Sequence, residues 1–395
     1  MEHTPAEECY RRIEKLQHAL QEQNLDGALI LYRADLFYFT GTAQQAYLYV
    51  PVTGESLLMV KKDFERAQKE SPLRHVVYLP SQRKVIEIMK SFGCYQPKAH
   101  IGMELDVLPV RHFRWYQEHF PEWQIVDIGS TIREIRMIKS PYEIDLLKQS
   151  ARLQEKVFSN IAQELKPGIS ELELAARIEF FARRSGHQGG VRLRGFDQEL
   201  FYGNLMSGKS GAVKSYFDGP TGGPGPSPAY PLGAGWKIVE ENEPIFIDYV
   251  GLYNGYIVDM TRIFVIGSLP EKLVKAHQVA LEIQEALVEA ARPGAVCQDL
   301  YQMALDMAES SGFGAHFMGY GEKVSFVGHG VGLELDELPV IARKFPVSLQ
   351  EGMVIALEPK FIFPEYGTVG IENTFVVRKN GLEKLTQFEE QIIQL

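Results

Sequence analysis

The chain has 395 residues, of which 45% are apolar and 23% charged, and it carries a net charge of −10. That length exceeds one ordinary core, so two domains of a soluble globular protein are expected. The acidic balance excludes nucleic acid as the main partner and, with no long basic run, a membrane surface.

The N-terminal "MEHTPAEECYRRIEKL" lacks the apolar core of a signal peptide, and "AEECYRRIEKLQHALQEQ" has helical periodicity. "DGALILY" follows as a buried strand, then "AYLYVPV" and "SLLMV" with a "TGE" turn between them. "SQRKVIEIMKSFG" predicts a helix stopped at Gly93, and "HVVYLP", "HIGMEL" and "WQIVDI" supply further strands. These elements predict an α/β domain over residues 1–135 with a mixed sheet. The texture changes at "IREIRMIKSPYEIDLLKQSARL", where Ser140, Pro141 and Glu143 signal the start of a long amphipathic helix. A second domain is therefore placed at 136–395.

Within it, "KPGISELELAARIEFFARRSG" and "RPGAVCQDLYQMALDMAESSG" each run 18 residues from a Pro-Gly turn to a terminal Gly. Both read as a turn and an amphipathic helix, so two pseudo-symmetric halves with strands between the helices are expected. Six glycines and five prolines in "YFDGPTGGPGPSPAYPLGAG" (216–235) forbid helix or central strand. That segment reads as a surface loop or, more sharply, as a rigid active-site rim. No stretch reaches the roughly 18 apolar residues of a membrane span. Cys9, Cys94 and Cys297 form no spaced pair, which excludes a disulfide framework and a thiolate zinc cluster and points to a reducing cytoplasm.

Two aspartates interrupt "IFIDYVGLYNGYIVDMTRIF" (245–264). Asn254-Gly255 signals a two-residue type I′ turn, which sets Tyr253 against Tyr256 and Asp248 against Thr261. Asp259 is then a diagonal neighbour on the same face as Asp248, roughly 7–8 Å away. Two carboxylates facing an apolar interior need a positive partner, and a divalent cation is the economical one. Arg262, three residues from Asp259, should point to the other face. His329 lies between glycines in "FVGHGVGLELDELP"; a lone histidine is more often structural, but these glycines and the available carboxylates point to a ligand. Glu358 and Glu372 interrupt apolar strands in "MVIALEPKFIFPEYGTVGIENTFVV", and an odd-length loop centred on Glu365 would set them opposite one another. One histidine and four carboxylates suit Mn, Co, Zn or Fe. Four carboxylates nearly neutralise two dications, so two divalent metal ions holding a bridging hydroxide are expected.

At these residues the sequence resembles the pita-bread metallopeptidases: methionine aminopeptidase, aminopeptidase P and prolidase, with creatinase as a metal-free relative. "IDYVGLYNGYIVDMTRIF", "GHGVGLE", "ALEP" and "GIENT" are similar to that family's ligand motifs, and "RMIKSPYEIDLLKQSA" to the opening of the catalytic domain in its proline-specific branch. The resemblance implies a creatinase-like α/β N-terminal domain and an α+β pita-bread C-terminal domain with pseudo-two-fold internal symmetry. It implies Asp248, Asp259, His329, Glu358 and Glu372 as metal ligands, with His329 and Glu358 as catalytic residues and Glu358 as proton shuttle. It also implies a homodimer that cleaves the N-terminal bond of short peptides with proline in second position.

Three positions depart from the family pattern: Asp336 and Ser215 stand where histidines are usual, and Gly370 where an arginine is usual. Losing such an oxyanion-type donor costs about 2.7–4 kcal/mol in well-studied enzymes. A lyase or non-peptide C–N hydrolase on the same scaffold is therefore one alternative, and a non-catalytic binding protein another. Lys209, Lys214, Arg192, Arg194 and His316 read as solvated surface residues; facing the metals instead, they would suit a substrate with an extra anionic group.

Overall fold

A computed structural model describes residues 3–196 and 198–395. The chain divides into two compact units, Met1–Arg136 and Met137–Leu395.

The first unit carries helices α1 (Ala6–Glu22), α2 (Arg33–Thr40), α3 (Phe64–Glu70), α4 (Val85–Ser91) and α5 (Val110–His119), and α6 (Gly129–Met137) runs to its end. Its strands are β1 (Gly27–Ile30), β2 (Ala46–Pro51), β3 (Leu57–Val60), β4 (His75–Tyr78), β5 (His100–Met103) and β6 (Gln124–Asp127). They form one sheet in the order β4-β3-β2-β1-β5-β6. The sheet is mixed: β2 runs antiparallel to β1 and β3, while the remaining pairs are parallel. β1 and β3 are buried at every residue, as continuous apolar runs covered on both faces require. Leu29, Tyr49, Met59, Ile101, Phe120 and Trp123 belong to its core.

In the second unit, α7 (Pro141–Glu164) begins in a capping box: Ser140 Oγ accepts the Glu143 N–H, and a Glu143 carboxylate oxygen accepts the Ser140 N–H at 3.0 Å. Then come α8 (Glu171–Arg184), β7 (Gly203–Ser207), β8 (Ile245–Tyr253) and β9 (Tyr256–Val265). The following half contains α9 (Glu271–Ala290), α10 (Cys297–Ser310), β10 (Phe326–Gly330), β11 (Glu337–Ala342) and β12 (Val354–Leu357). It closes with β13 (Lys360–Phe363), β14 (Gly367–Gly370), β15 (Asn373–Arg378), β16 (Gly381–Lys384) and β17 (Ile393–Gln394). One sheet has the order β17-β9-β8-β7, another β11-β10-β12-β15-β16, and β13 pairs with β14 as a ribbon.

The two Pro-Gly segments fold alike. Gly168 N–H donates to Val239 O at 3.2 Å, and Gly294 N–H donates to Leu349 O at 2.8 Å. Ser170 bridges Ile238 just before α8, as Val296 bridges Ser348 just before α10. Each half thus offers a long helix, a turn, a second helix and strands, giving the pseudo-two-fold arrangement. The halves meet where Thr261 of β9 forms an antiparallel bridge to Glu372, at the start of β15. Alternation sorts the residues of β8. Ile245, Ile247 and Tyr249 enter the core beneath α7 and α8, while Phe246 enters the core shared with α9 and α10. Asp248 lies on the Phe246 face.

No helix among the described residues is long and apolar enough to cross a membrane. Cys9, Cys94 and Cys297 are free thiols.

Because the Ser140 cap organises the first turn of the longest helix, Ser140→Ala is expected to cost about 1 kcal/mol. A thermal melt should show it as a fall of about 2–4 °C in Tm.

Candidate metal centre

Asn254 and Gly255 both take positive φ, 46° and 86°, forming the two-residue turn between β8 and β9. The register outward from it pairs Tyr253 with Tyr256, Val250 with Asp259 and Asp248 with Thr261. Those even offsets put Asp248, Asp259 and Thr261 on one face. The second hairpin is centred on Glu365: Lys360 pairs with Gly370 and Phe363 with Gly367, and the Ile371 N–H donates to Pro359 O at 3.2 Å. Continued one step, that register sets Glu358 against Glu372. Arg262 points away from the carboxylates; its guanidinium donates to the carbonyls of Thr261 and Glu372 and to Asn373 Oδ1.

His329, Glu358 and Glu372 are buried with Asp259, and Asp248 is slightly exposed. Asp259, His329 and Glu372 form the one convergent set among the described residues, with ligand atoms all within 4.8 Å of one another. The His329 Nδ1–H faces Leu335 O at 3.0 Å and Gly330 O at 3.1 Å. Two carbonyl acceptors keep that nitrogen protonated, which directs Nε2 at the carboxylates, 3.7 Å from both Glu358 Oε1 and Glu372 Oε1. Glu372 Oε2 accepts from Thr261 Oγ1 at 2.9 Å, whereas Glu372 Oε1 is buried and accepts no hydrogen bond. An orphaned carboxylate oxygen beside His329 Nε2 and Asp259 fits a divalent cation with three protein ligands, the cation replacing any proton on Nε2.

The other two expected ligands are held differently. Lys360 Nζ donates to Asp248 Oδ2 at 2.9 Å, Glu358 Oε2 at 2.8 Å and Glu372 Oε2 at 2.8 Å. Its side chain is 2% exposed. One oxygen of Asp248 and one of Glu358 therefore face an ammonium group, a partner that the five-ligand expectation did not include. Sequence reasoning passed over Lys360, although the signal used for the acids was present: a charged residue at the start of the apolar run "KFIF". Thr374 was missed as well; its Oγ1 accepts the Asp259 N–H at 2.8 Å and donates to Asp259 O at 2.9 Å, fixing the backbone that carries the carboxylate.

The charges polarise one another. Burial and the charges of Glu372 and Asp248 push the Asp259 carboxyl well above the usual range. Burial raises Asp248 too, with Lys360 opposing. Burial carries Glu358 up to about 7 against the pull of Lys360. Glu372 goes the other way: burial is outweighed by Lys360 and His329, and its pKa falls to about 2. For His329, burial is overcome by Glu372, Asp336 and Glu358, which hold the imidazolium well above its ordinary range. Lys360 is likewise held up by Asp248, Glu358 and Glu372 against burial.

Phe217, Asp218, Pro220, Thr221 and Leu232 of the Gly/Pro-rich loop line the cavity over these residues, together with Asp336. The loop is thus a rim of the site. Asp336 Oδ1 stands 3.4 Å from His329 Nδ1. Ser215 Oγ accepts the Phe217 N–H at 3.0 Å, steadying the entry to the rim. Gly370 lies directly across from Lys360, and a Cβ there would come within 2.7 Å of Lys360 Cα. Of the cations considered from sequence, Lys214 pairs with Glu322 at 3.1 Å and Arg194 with Glu334 at 3.7 Å. His316 Nδ1 meets Ile362 O at 2.8 Å and stacks on Tyr320. Lys209, Lys214, Arg192, Arg194 and His316 are all absent from the cavity lining among the described residues.

The sequence profile of metallopeptidase family M24 matches residues 145–379, and that of the creatinase/prolidase N-terminal domain matches 12–138. A Xaa-Pro dipeptidase of Pyrococcus furiosus is 29% identical over 97% of this chain and 99% of its own length. The crystal structure of the prolidase from Pyrococcus horikoshii superposes with a TM-score of 0.82 at 25% identity, covering 97% of this chain and 100% of that one. A Xaa-Pro dipeptidase from Bacillus anthracis superposes at 0.84 and 24% identity over 98% of this chain and 100% of that one, a likeness of fold.

In metal-free protein, Glu372 contributes stability that is present above its ordinary value of 4.5 and lost as pH falls toward 2. Glu358 contributes stability present below 4.5 and lost as pH rises through about 7. Metal-stripped protein should therefore lose stability between pH 4.5 and 7. In thermal melts Glu358→Gln should flatten that decline, by on the order of 3 kcal/mol or less. Because burial and neighbouring carboxylates raise Asp259, and neighbouring carboxylates raise His329, in the metal-free state, metal uptake at neutral pH should release protons. Calorimetry in buffers of different ionisation enthalpy checks this, and a buffer-independent heat would contradict it.

Proposed function

The chain belongs to metallopeptidase family M24, and we propose that it is a metal-dependent hydrolase of short peptides whose second residue is proline. The observation that carries this reading is the convergence of Asp259, His329 and Glu372 on one buried point, with Glu372 Oε1 unsatisfied. The names of the relatives support the substrate class. A divalent ion held by those three residues supplies Lewis acidity toward a water and a peptide carbonyl.

The residues around that point divide the remaining work. Glu358, with a pKa of about 7, is poised to accept a proton from the attacking water and return it to the departing amine. Lys360 fixes one Glu358 oxygen, which leaves Oε1 directed at the cavity. The rim segment from Phe217 to Thr221 narrows access and limits the size of what enters. The family resemblance is also the ground for a homodimer.

Lys360 favours a second reading as well. An ammonium among the ligands, with Asp336 and Gly370 at the altered positions, suits a reaction other than peptide hydrolysis on the same scaffold.

The test is a screen of Mn- or Co-loaded protein against Xaa-Pro dipeptides and tripeptides. Glu358→Gln should keep metal uptake and lose on the order of 100-fold or more in kcat. Asp259→Ala should lose both uptake and turnover. A metal-loaded wild type that cleaves none of these peptides would remove the peptidase reading in favour of the second one.

A further inference from the structure

We propose that the Lys360 ammonium fills one of the two cation positions expected of this centre, so that the protein binds a single divalent ion per chain, held by Asp259, His329 and Glu372. The inference rests on the family reading for the presence of a cation site and departs from the expectation of two ions.

Three features carry it. An ammonium has three N–H donors, and Lys360 uses all three, on carboxylates from within β8, the end of β12 and the start of β15 at 2.8–2.9 Å. Three anionic oxygens about a single point are the surroundings of a metal ion, and here a tethered cation satisfies them. The tether is short and fixed. Lys360 opens β13, pairs with Gly370 and accepts the Met318 N–H at 2.9 Å, so its backbone cannot retreat without breaking the ribbon. The bare backbone across the ribbon is part of the same device. A Cβ at position 370 would lie 2.6 Å from Pro359 O, 2.7 Å from Lys360 Cα and 3.0 Å from Lys360 Cγ, so a side chain there would displace the backbone that carries Lys360.

Glu372 then spans two cations. Its Oε2 accepts from Lys360, while its buried Oε1 accepts no hydrogen bond and faces His329 Nε2. One carboxylate shared between an ammonium and an imidazole-bound ion accounts for both oxygens. Since no Lys360 donor is spare, Lys360 is a positioning residue: it holds Asp248 and Glu358 and does not reach substrate.

The experiment counts ions and does not depend on turnover, so its failure is separate from failure of the peptidase reading. Metal-stripped protein is titrated with Mn(II) or Co(II), and bound metal per chain is measured by elemental analysis and calorimetry. Wild type should bind one ion, with the EPR signal of isolated Mn(II). Lys360→Ala and Lys360→Met should bind two, with the signal of an exchange-coupled pair. Two ions in wild type, or none, would overturn the proposal, as would variants that remain at one. Should circular dichroism show that neither variant folds, Asp259→Ala decides: loss of the single ion supports the assignment, and its retention overturns it.

Discussion

Four carboxylates occupy one interior region of the second unit, on or beside strands that are mostly apolar, and each loses several kcal/mol of hydration there. Such a group persists only where positive charge is built in beside it. Lys360 answers part of that demand from within the chain, through bonds to Asp248, Glu358 and Glu372. Asp259 is left without such a partner, beside an imidazole and an unsatisfied oxygen of Glu372. That residual imbalance favours a cation beside Asp259 and Glu372.

The scaffold explains why the hairpins can be set so closely. Each half of the second unit brings a Pro-Gly turn, a helix and strands into the same local arrangement, down to the carbonyls that receive the Gly168 and Gly294 N–H groups. The halves join at the Thr261–Glu372 bridge, and Thr261 Oγ1 and Thr374 Oγ1 reach across the joint. The junction of the two halves thus receives side chains from both. The Gly/Pro-rich loop then covers it, with its backbone restrained by proline rather than by a regular hydrogen-bond ladder.

Within the centre, one pair of carboxylates shows how environment separates roles. Glu358 and Glu372 both touch Lys360 and both lie 3.7 Å from His329 Nε2. Burial prevails at Glu358 and carries its pKa to about 7, while Lys360 and His329 prevail at Glu372 and bring it to about 2. A group titrating near neutrality can move a proton, and one that stays ionised can hold a cation. The charge of Glu372 itself adds to burial in raising Glu358, whereas Lys360 and His329 together outweigh burial at Glu372.

Much of this was legible in the sequence, because the signals were local. Strand alternation and an Asn-Gly turn determined that Asp248 and Asp259 share a face, and six apolar runs marked the six strands of the first sheet. The paired Pro-Gly motifs marked the repeated halves, and Ser140 with Glu143 marked the start of α7. What the carboxylates face was decided only in three dimensions. Asp248 lies 112 residues before Lys360, and only the folded chain brings the ammonium to it, whereas Glu358 is two residues away. The same assembly leaves Lys214, Arg194 and His316 elsewhere, although sequence proximity had made them candidates. Periodicity reports the face on which a side chain emerges; the partner it meets there depends on how separate faces close upon one another.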